Sequence, residues 1–171
     1  MLIADKTVVI TGGGRGIGRA LAERFGRDGA RLALIDINGA DLETTRAALE
    51  SAGIQARVYE ANVAVEDQVV AGHGNAGQTN YSAAKAGVAA MTVVWAKELA
   101  RYGIRAGTIA PGGVRTEILA SMRPDMLDKL LAPVPLQRFG EPEEVAAAAA
   151  FIVANDYFSG RCIDLDGGFR L

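Results

Sequence analysis

The sequence predicts an α/β fold organised on a doubly wound parallel sheet, with about five strands as the middle layer of a three-layer sandwich. Three observations carry that expectation. Short apolar runs rich in β-branched residues alternate with amphipathic stretches along the chain, the order that produces right-handed crossovers and parallel strands. The first run breaks into Gly12-Gly13-Gly14-Arg15-Gly16-Ile17-Gly18 and then opens a helical pattern. An acid, Asp36, ends the second run twenty positions after Gly16. A glycine-lined turn from strand to helix, followed at that spacing by a carboxylate, is the pattern of a Rossmann-like fold that binds a dinucleotide.

Each element follows in order. Thr7 to Ile10 reads as a strand buried on both faces, because its apolar character is continuous rather than alternating. The next helix carries Ile17, Leu21 and Phe25 on one side, with Gly29 as its stop. Leu32 to Ile35 is the second strand. Asp41 to Ala52 is a helix closed by Gly53, and Ala56 to Ala61 is a third strand with Asn62 and Val63 at its end. From Tyr81 to about Arg101 the composition is helical, with Val88, Met91, Trp95 and Leu99 on one face and Ala83, Ala86, Ala90 and Val94 on another. Two apolar faces predict burial on both sides, one against the sheet and the other against a second subunit or a monomer's own interior. Ile104 to Ala110 is a strand. The region 117–139 is cut by Pro124, Pro133 and Pro135, too often for one helix, and suits a mobile substrate lid. Pro142 starts an alanine-rich helix to about Ala154, with Glu143 and Glu144 at its positive end, and Arg161 to Leu165 is the last strand.

Composition narrows the function classes. The chain has 171 residues, half of them apolar, which suffices for the core of one domain covering 1–171. A net charge of −2 without a lysine or arginine block speaks against nucleic acid as a partner. The single cysteine, Cys162, excludes an internal disulfide and a cysteine-cluster metal site, and its apolar strand suggests an inert core thiol in a cytoplasmic protein. No metal is expected. The longest apolar run, Val145 to Ala154, is too short for a bilayer, and the first residues lack a signal-peptide pattern.

The chemistry is read from three stretches. Glycine at 12, 16 and 18 permits the tight turn, the approach of a pyrophosphate and close packing of the helix, whose leading N–H groups face the anion. Asp36 accepts hydrogen bonds from adenosine ribose hydroxyls and repels a 2′-phosphate, so it favours NAD over NADP. Arg15 argues the other way if its guanidinium holds that phosphate; its alternative is a solvated loop arginine. Tyr81 and Lys85 are four apart and share a helical face, where an ammonium stabilises a phenolate and makes the phenol a working acid or base, although such a pair is also common on surfaces. Pro111-Gly112-Gly113-Val114-Arg115-Thr116 either presents amides and the Thr116 hydroxyl to a ligand amide or simply ends a strand. His73, among loop glycines, reads as incidental.

Together TGGGRGIG from Thr11, Asp36, NYSAAKAG from Asn80 and PGGVRT from Pro111 resemble the short-chain dehydrogenase/reductase family, and GNAGQTNYSAAKAG looks most like its bacterial β-ketoacyl-(acyl carrier protein) reductases. The resemblance implies an oxidoreductase that moves a hydride between a nicotinamide cofactor and a ketone or acyl thioester, within a homo-oligomer. It implies catalytic roles for Tyr81, which exchanges a proton with the substrate oxygen, and for Lys85, which lowers the tyrosine pKa and binds the nicotinamide ribose. It assigns the cofactor to Gly12, Arg15, Gly16, Ile17, Gly18, Asp36, Asn62, Val63, Tyr81, Lys85, Pro111, Gly112, Val114 and Thr116. The chain departs from the pattern near residues 66–72, where two strand–helix units of the family are absent. Gln68 stands where the family's serine would fall, and Gly107 where relatives commonly have asparagine, so neither catalytic group is carried over. A non-catalytic nucleotide-binding or assembly protein is the alternative. With those units absent, the expected sheet order is third, second, first, Ile104 strand, Cys162 strand.

Overall fold

Among the described residues each run read as a strand contributes a parallel strand, the Ile104 run only from Gly107 onward, but the strands form two sheets. The computed structural model describes residues 3–62 and 79–169, with the backbone alone at 79–84 and 86. Its first sheet has the order β1-β2-β3, from β1 (Thr7–Thr11), β2 (Arg31–Asp36) and β3 (Ala56–Glu60). Val8 pairs with Leu32 and Leu32 with Ala56, all parallel. The second sheet joins β4 (Gly107–Pro111) to β5 (Arg161–Leu165), with Thr108 beside Cys162.

The helices between them are α1 (Gly16–Arg27), α2 (Gly39–Ser51), α3 (Thr79–Glu98), α4 (Glu117–Ala120), α5 (Pro124–Leu131) and α6 (Pro142–Ala154). α6 matches its predicted bounds, and the proline-cut region holds two short helices, as its interruptions require. α2 begins earlier than its apolar pattern suggests because Asn38 caps it, its Oδ1 accepting the N–H groups of Ala40 and Asp41.

One core unites the first sheet with α1, α2 and α6. Ile10, Leu32 and Leu34 point into it and meet Ala22, Phe25, Leu42, Leu49, Ile54 and Ala150, since alternate strand residues share a face. The other face of that sheet carries Val9 and Tyr59, 61% and 48% exposed. α3 instead contacts β4 and β5. Its Thr92 is buried and hydrogen-bonds Thr108.

The expected pairing of β1 with β4 is not made: among the described residues the two strands border a cleft of about 400 Å³ lined by Val8, Val9, Ile10, Gly107, Ile109 and Ile152. What holds the sheets in one body is α6, which packs on α1 and on β4. Gly107 explains why α6 sits so close. A Cβ there would lie 2.9 Å from the Ile152 side chain and 3.1 Å from the Phe158 ring, so an asparagine would have to displace both side chains. Arg105 secures the far end, donating to the carbonyl oxygens of Ile152, Val153, Asn155 and Phe158 at 2.8–3.0 Å and so satisfying acceptors that a helix C-terminus leaves unpaired.

One burial expectation is corrected. Cys162 is exposed, because β5 is the outer strand of a sheet two strands wide. α3 packs on β4, β5 and the turn that follows it, and its Val88, Met91, Val93, Val94 and Trp95 remain exposed, so the second apolar side is not covered by the described residues of this chain.

Candidate active site

The turn after β1 is built by backbone demands. Gly12 and Gly16 take positive φ angles of 68° and 54°, which residues with a Cβ adopt at a cost. At Gly18 a Cβ would overlap the Gly12 carbonyl oxygen, so only glycine lets α1 rise directly from the turn. The loop is pinned from three directions. Gly13 N–H donates to Ile35 O at 3.1 Å, Gly14 N–H to Asp36 Oδ2 at 3.0 Å, and the Thr45 hydroxyl to Gly14 O at 2.6 Å. Arg15, the N-cap of α1, makes no side-chain cap, and the first turn has no acid. The leading amides of α1 are therefore turned to the cradle that a pyrophosphate fits.

Asp36 stands at the carboxyl end of β2 with both oxygens engaged, Oδ2 by Gly14 N–H and Oδ1 by Asn38 N–H at 3.1 Å. Each oxygen keeps a lone pair for a ribose hydroxyl. Burial pushes its carboxyl pKa up, but the N–H groups of Asn38, Gly14 and Ile37 and the charge of Arg15 outweigh that, and the pKa falls below the usual carboxylate value. Arg15 itself leans to Asp41, with Nε 3.6 Å from Oδ2.

The loop after β4 closes the other side. A Cβ on Gly16 would lie 3.4 Å from the Thr116 methyl, so Thr116 sits against the glycine turn. Pro111 ends β4. Gly112 N–H donates to Leu165 O at 3.0 Å, and a Cβ on Gly112 would come within 2.9 Å of Asp166. Val114 is buried and bridges to Gly140. Gly16, Arg19, Arg115, Thr116, Glu117 and Pro142 bound a cleft of about 380 Å³. A larger cavity, about 600 Å³ between Arg31, Arg46, Arg57 and Tyr59, lies away from this turn. The geometry follows the glycine loop, not the larger volume.

The structure thus gathers Gly12, Arg15, Gly16, Ile17, Gly18, Asp36 and Thr116 at one rim. Asn62 follows β3, exposed, and Lys85 is exposed on α3. Tyr81 lies within the first turns of α3, but its side chain, like Val63, Gln68 and His73, lies outside the described residues. Sequence reasoning overlooked Asn38, Asp41 and Thr45. Asn38 had a visible signal, a capping residue just ahead of a helical pattern. Thr45 had none, since a threonine 31 residues from Gly14 meets it only after folding.

Parallel strands, crossover helices and a glycine turn facing an acid define an α/β protein of the dinucleotide-binding class. Comparison with known proteins narrows this. The family model described as short chain dehydrogenase matches residues 6–73, and the one described as Enoyl-(Acyl carrier protein) reductase matches residues 68–170. An acetoacetyl-CoA reductase from Synechocystis sp. is 31% identical over 231 residues, covering 96% of each chain. A 3-oxoacyl-(acyl-carrier-protein) reductase from Thermotoga maritima is 45% identical over 102 residues, 58% of this chain and 42% of that protein. In solved structures, a short-chain type dehydrogenase/reductase from Mycobacterium ulcerans superposes with a TM-score of 0.88 at 21% identity, covering 99% of this chain and 91% of that one. A proposed 2-deoxy-D-gluconate 3-dehydrogenase from Agrobacterium tumefaciens, with NADP bound, gives 0.86 at 21% identity, covering 98% and 97%. The chain belongs to the short-chain dehydrogenase family of NAD(P)-dependent oxidoreductases, close to the 3-oxoacyl reductases. The 231-residue alignment exceeds the 171-residue chain by 60, so at least that many positions of the Synechocystis protein have no counterpart here.

Proposed function

We propose that the chain reduces a 3-oxoacyl thioester or a similar ketone with NADH, with Tyr81 as the proton donor and Lys85 as its electrostatic partner. The observation that carries this reading is the rim itself, where Gly14 N–H meets the Asp36 carboxylate and Thr116 abuts Gly16. Those groups fit a dinucleotide. Gly12, Gly16, Gly18 and the start of α1 would hold its pyrophosphate, Asp36 its adenosine ribose, Asn62 and Val63 the adenine, and Thr116 with Pro111, Gly112 and Val114 the carboxamide end. The nicotinamide supplies the hydride. Lys85, one helical turn after Tyr81, favours the phenolate and so lets Tyr81 release its proton to the forming alkoxide near neutral pH. The names of the Synechocystis and Thermotoga relatives support an acyl thioester as the substrate class.

Asp36 supports NAD over NADP, because its charge is preserved by its backbone donors and repels a 2′-phosphate. The same reading takes 1–171 as one domain lacking a segment near 66–72, in a cytoplasmic homo-oligomer whose contacts use the exposed apolar side of α3. Among the described residues no helix is long and apolar enough to cross a membrane. The missing positions favour a second reading, a nucleotide-binding protein without turnover, because a lost hydrogen-bond donor to the reacting oxygen costs about 10²–10³ in rate. NADH oxidation with a short 3-oxoacyl thioester separates the two. The native chain is expected to turn over and Tyr81→Phe to fall to background; equal background rates in both would leave only the binding protein.

A further inference from the structure

The glycine loop is bracketed by two carboxylates. Asp36 accepts Gly14 N–H from the end of β2. Asp41 approaches from the first turn of α2, with Oδ2 3.6 Å from Arg15 Nε. A Cβ placed on Gly14 would lie 2.9 Å from the Asp41 Cβ and 3.0 Å from Asp36 Oδ2, so both acids face the same two residues of the loop. Their mounting differs from that of the cation. Asp41 sits on a capped helix, its N–H donating to Asn38 Oδ1 at 3.2 Å, whereas the Arg15 side chain is 58% exposed and free to swing on its long stem.

We infer that Asp41 is a second determinant of cofactor choice, acting through Arg15, whose guanidinium it holds back from a 2′-phosphate. The inference rests on the nucleotide reading of the loop. A 2′-phosphate needs a cation, and Arg15 is the one that the loop offers. To serve it, Arg15 would have to leave Asp41, and the abandoned carboxylate would then stand unpaired near a dianion. NADH carries no group there and meets neither penalty. Asp36 repels the phosphate directly, and Asp41 withholds its counter-charge.

The test is a binding measurement on the full chain, so it does not depend on turnover. NADH and NADPH are titrated by nucleotide fluorescence against the native protein, Asp41→Asn, Arg15→Gln and the double variant. Asparagine preserves the size of the side chain, and any uniform weakening from helix α2 cancels in the ratio of the two affinities. The NADPH-to-NADH affinity ratio is expected to rise about three- to fivefold in Asp41→Asn, the scale of a partly exposed ion pair, and to rise much less when Arg15 is already glutamine. A ratio unchanged within about twofold, or an equal rise without Arg15, overturns the role of Asp41 while NADH binding persists. Failure of the native chain to bind either nucleotide would overturn the nucleotide reading and this inference with it, and is distinguished by that loss of NADH binding.

Discussion

Thr45 shows how much one buried hydroxyl can govern. It is fully buried, and its hydroxyl hydrogen-bonds the carbonyl of Gly14, the residue whose N–H meets Asp36. Removing the donor leaves a buried acceptor unpaired, at a cost of about 1–3 kcal/mol. Thr45→Val is therefore expected to lose that much in denaturant unfolding and also to weaken NADH binding, with the binding restored by Thr45→Ser, which keeps the hydroxyl. If valine lowered stability yet left nucleotide affinity untouched, the loop would be held without Thr45. At this scale the sequence was legible where backbone geometry demands a residue type. Gly12, Gly16 and Gly18 had to be glycine, and Asp36 lay at the expected spacing. It was illegible at Thr45 and Asp41, whose roles come from contacts between distant segments.

Among the elements, α6 carries the clearest electrostatics. Glu144 accepts the N–H of Glu141 at 2.8 Å and pairs with Arg138 at 2.6–2.9 Å. Chiefly through Arg138, and then through that backbone N–H, its carboxyl pKa is lowered from 4.5 to about 2. A group depressed in the folded state stabilises it above the unfolded value, and that contribution is lost as pH falls from 4.5 toward about 2. Glu144→Gln is thus expected to lower the thermal midpoint at neutral pH and to flatten the acid slope of the midpoint over that window. Identical slopes for the two proteins would remove Glu144 from the account. The sequence placed acids at this helix start correctly but saw only a dipole partner; the bond from Glu141 N–H to Glu144 and the Arg138 clamp needed the preceding turn to fold back. Arg105 at the other end is similar, since its four acceptors lie 47–53 positions away.

For the whole molecule, the consequential feature is the cleft between β1 and β4. Their cleft-facing edges form no ladder among the described residues, and Val9 is exposed in mid-strand. Backbone groups on an open edge bond to water and exchange freely. Hydrogen exchange followed by NMR is expected to show an alternation along β1, with amides facing β2 protected and those facing the cleft exchanging fast. Uniform protection on both sides would mean that the cleft is closed in solution. The expectation that β4 pairs with β1 fails because α1 and α6 set the spacing of the sheets. α6 packs on both α1 and β4, so the two sheets keep the separation that these helix contacts impose.

By itself the sequence determined what short-range physics can specify: parallel strands from apolar runs, helix ends from glycine and proline, a nucleotide turn from glycine spacing, and a family from an ordered set of motifs. Only the tertiary structure decided that the sheet divides, that α3 leaves an apolar side exposed, that Cys162 faces solvent, and that Asp41 and Thr45 reach the glycine loop. Patterns of one or two turns report a residue's local preference, whereas burial and pairing depend on which distant surface arrives opposite it.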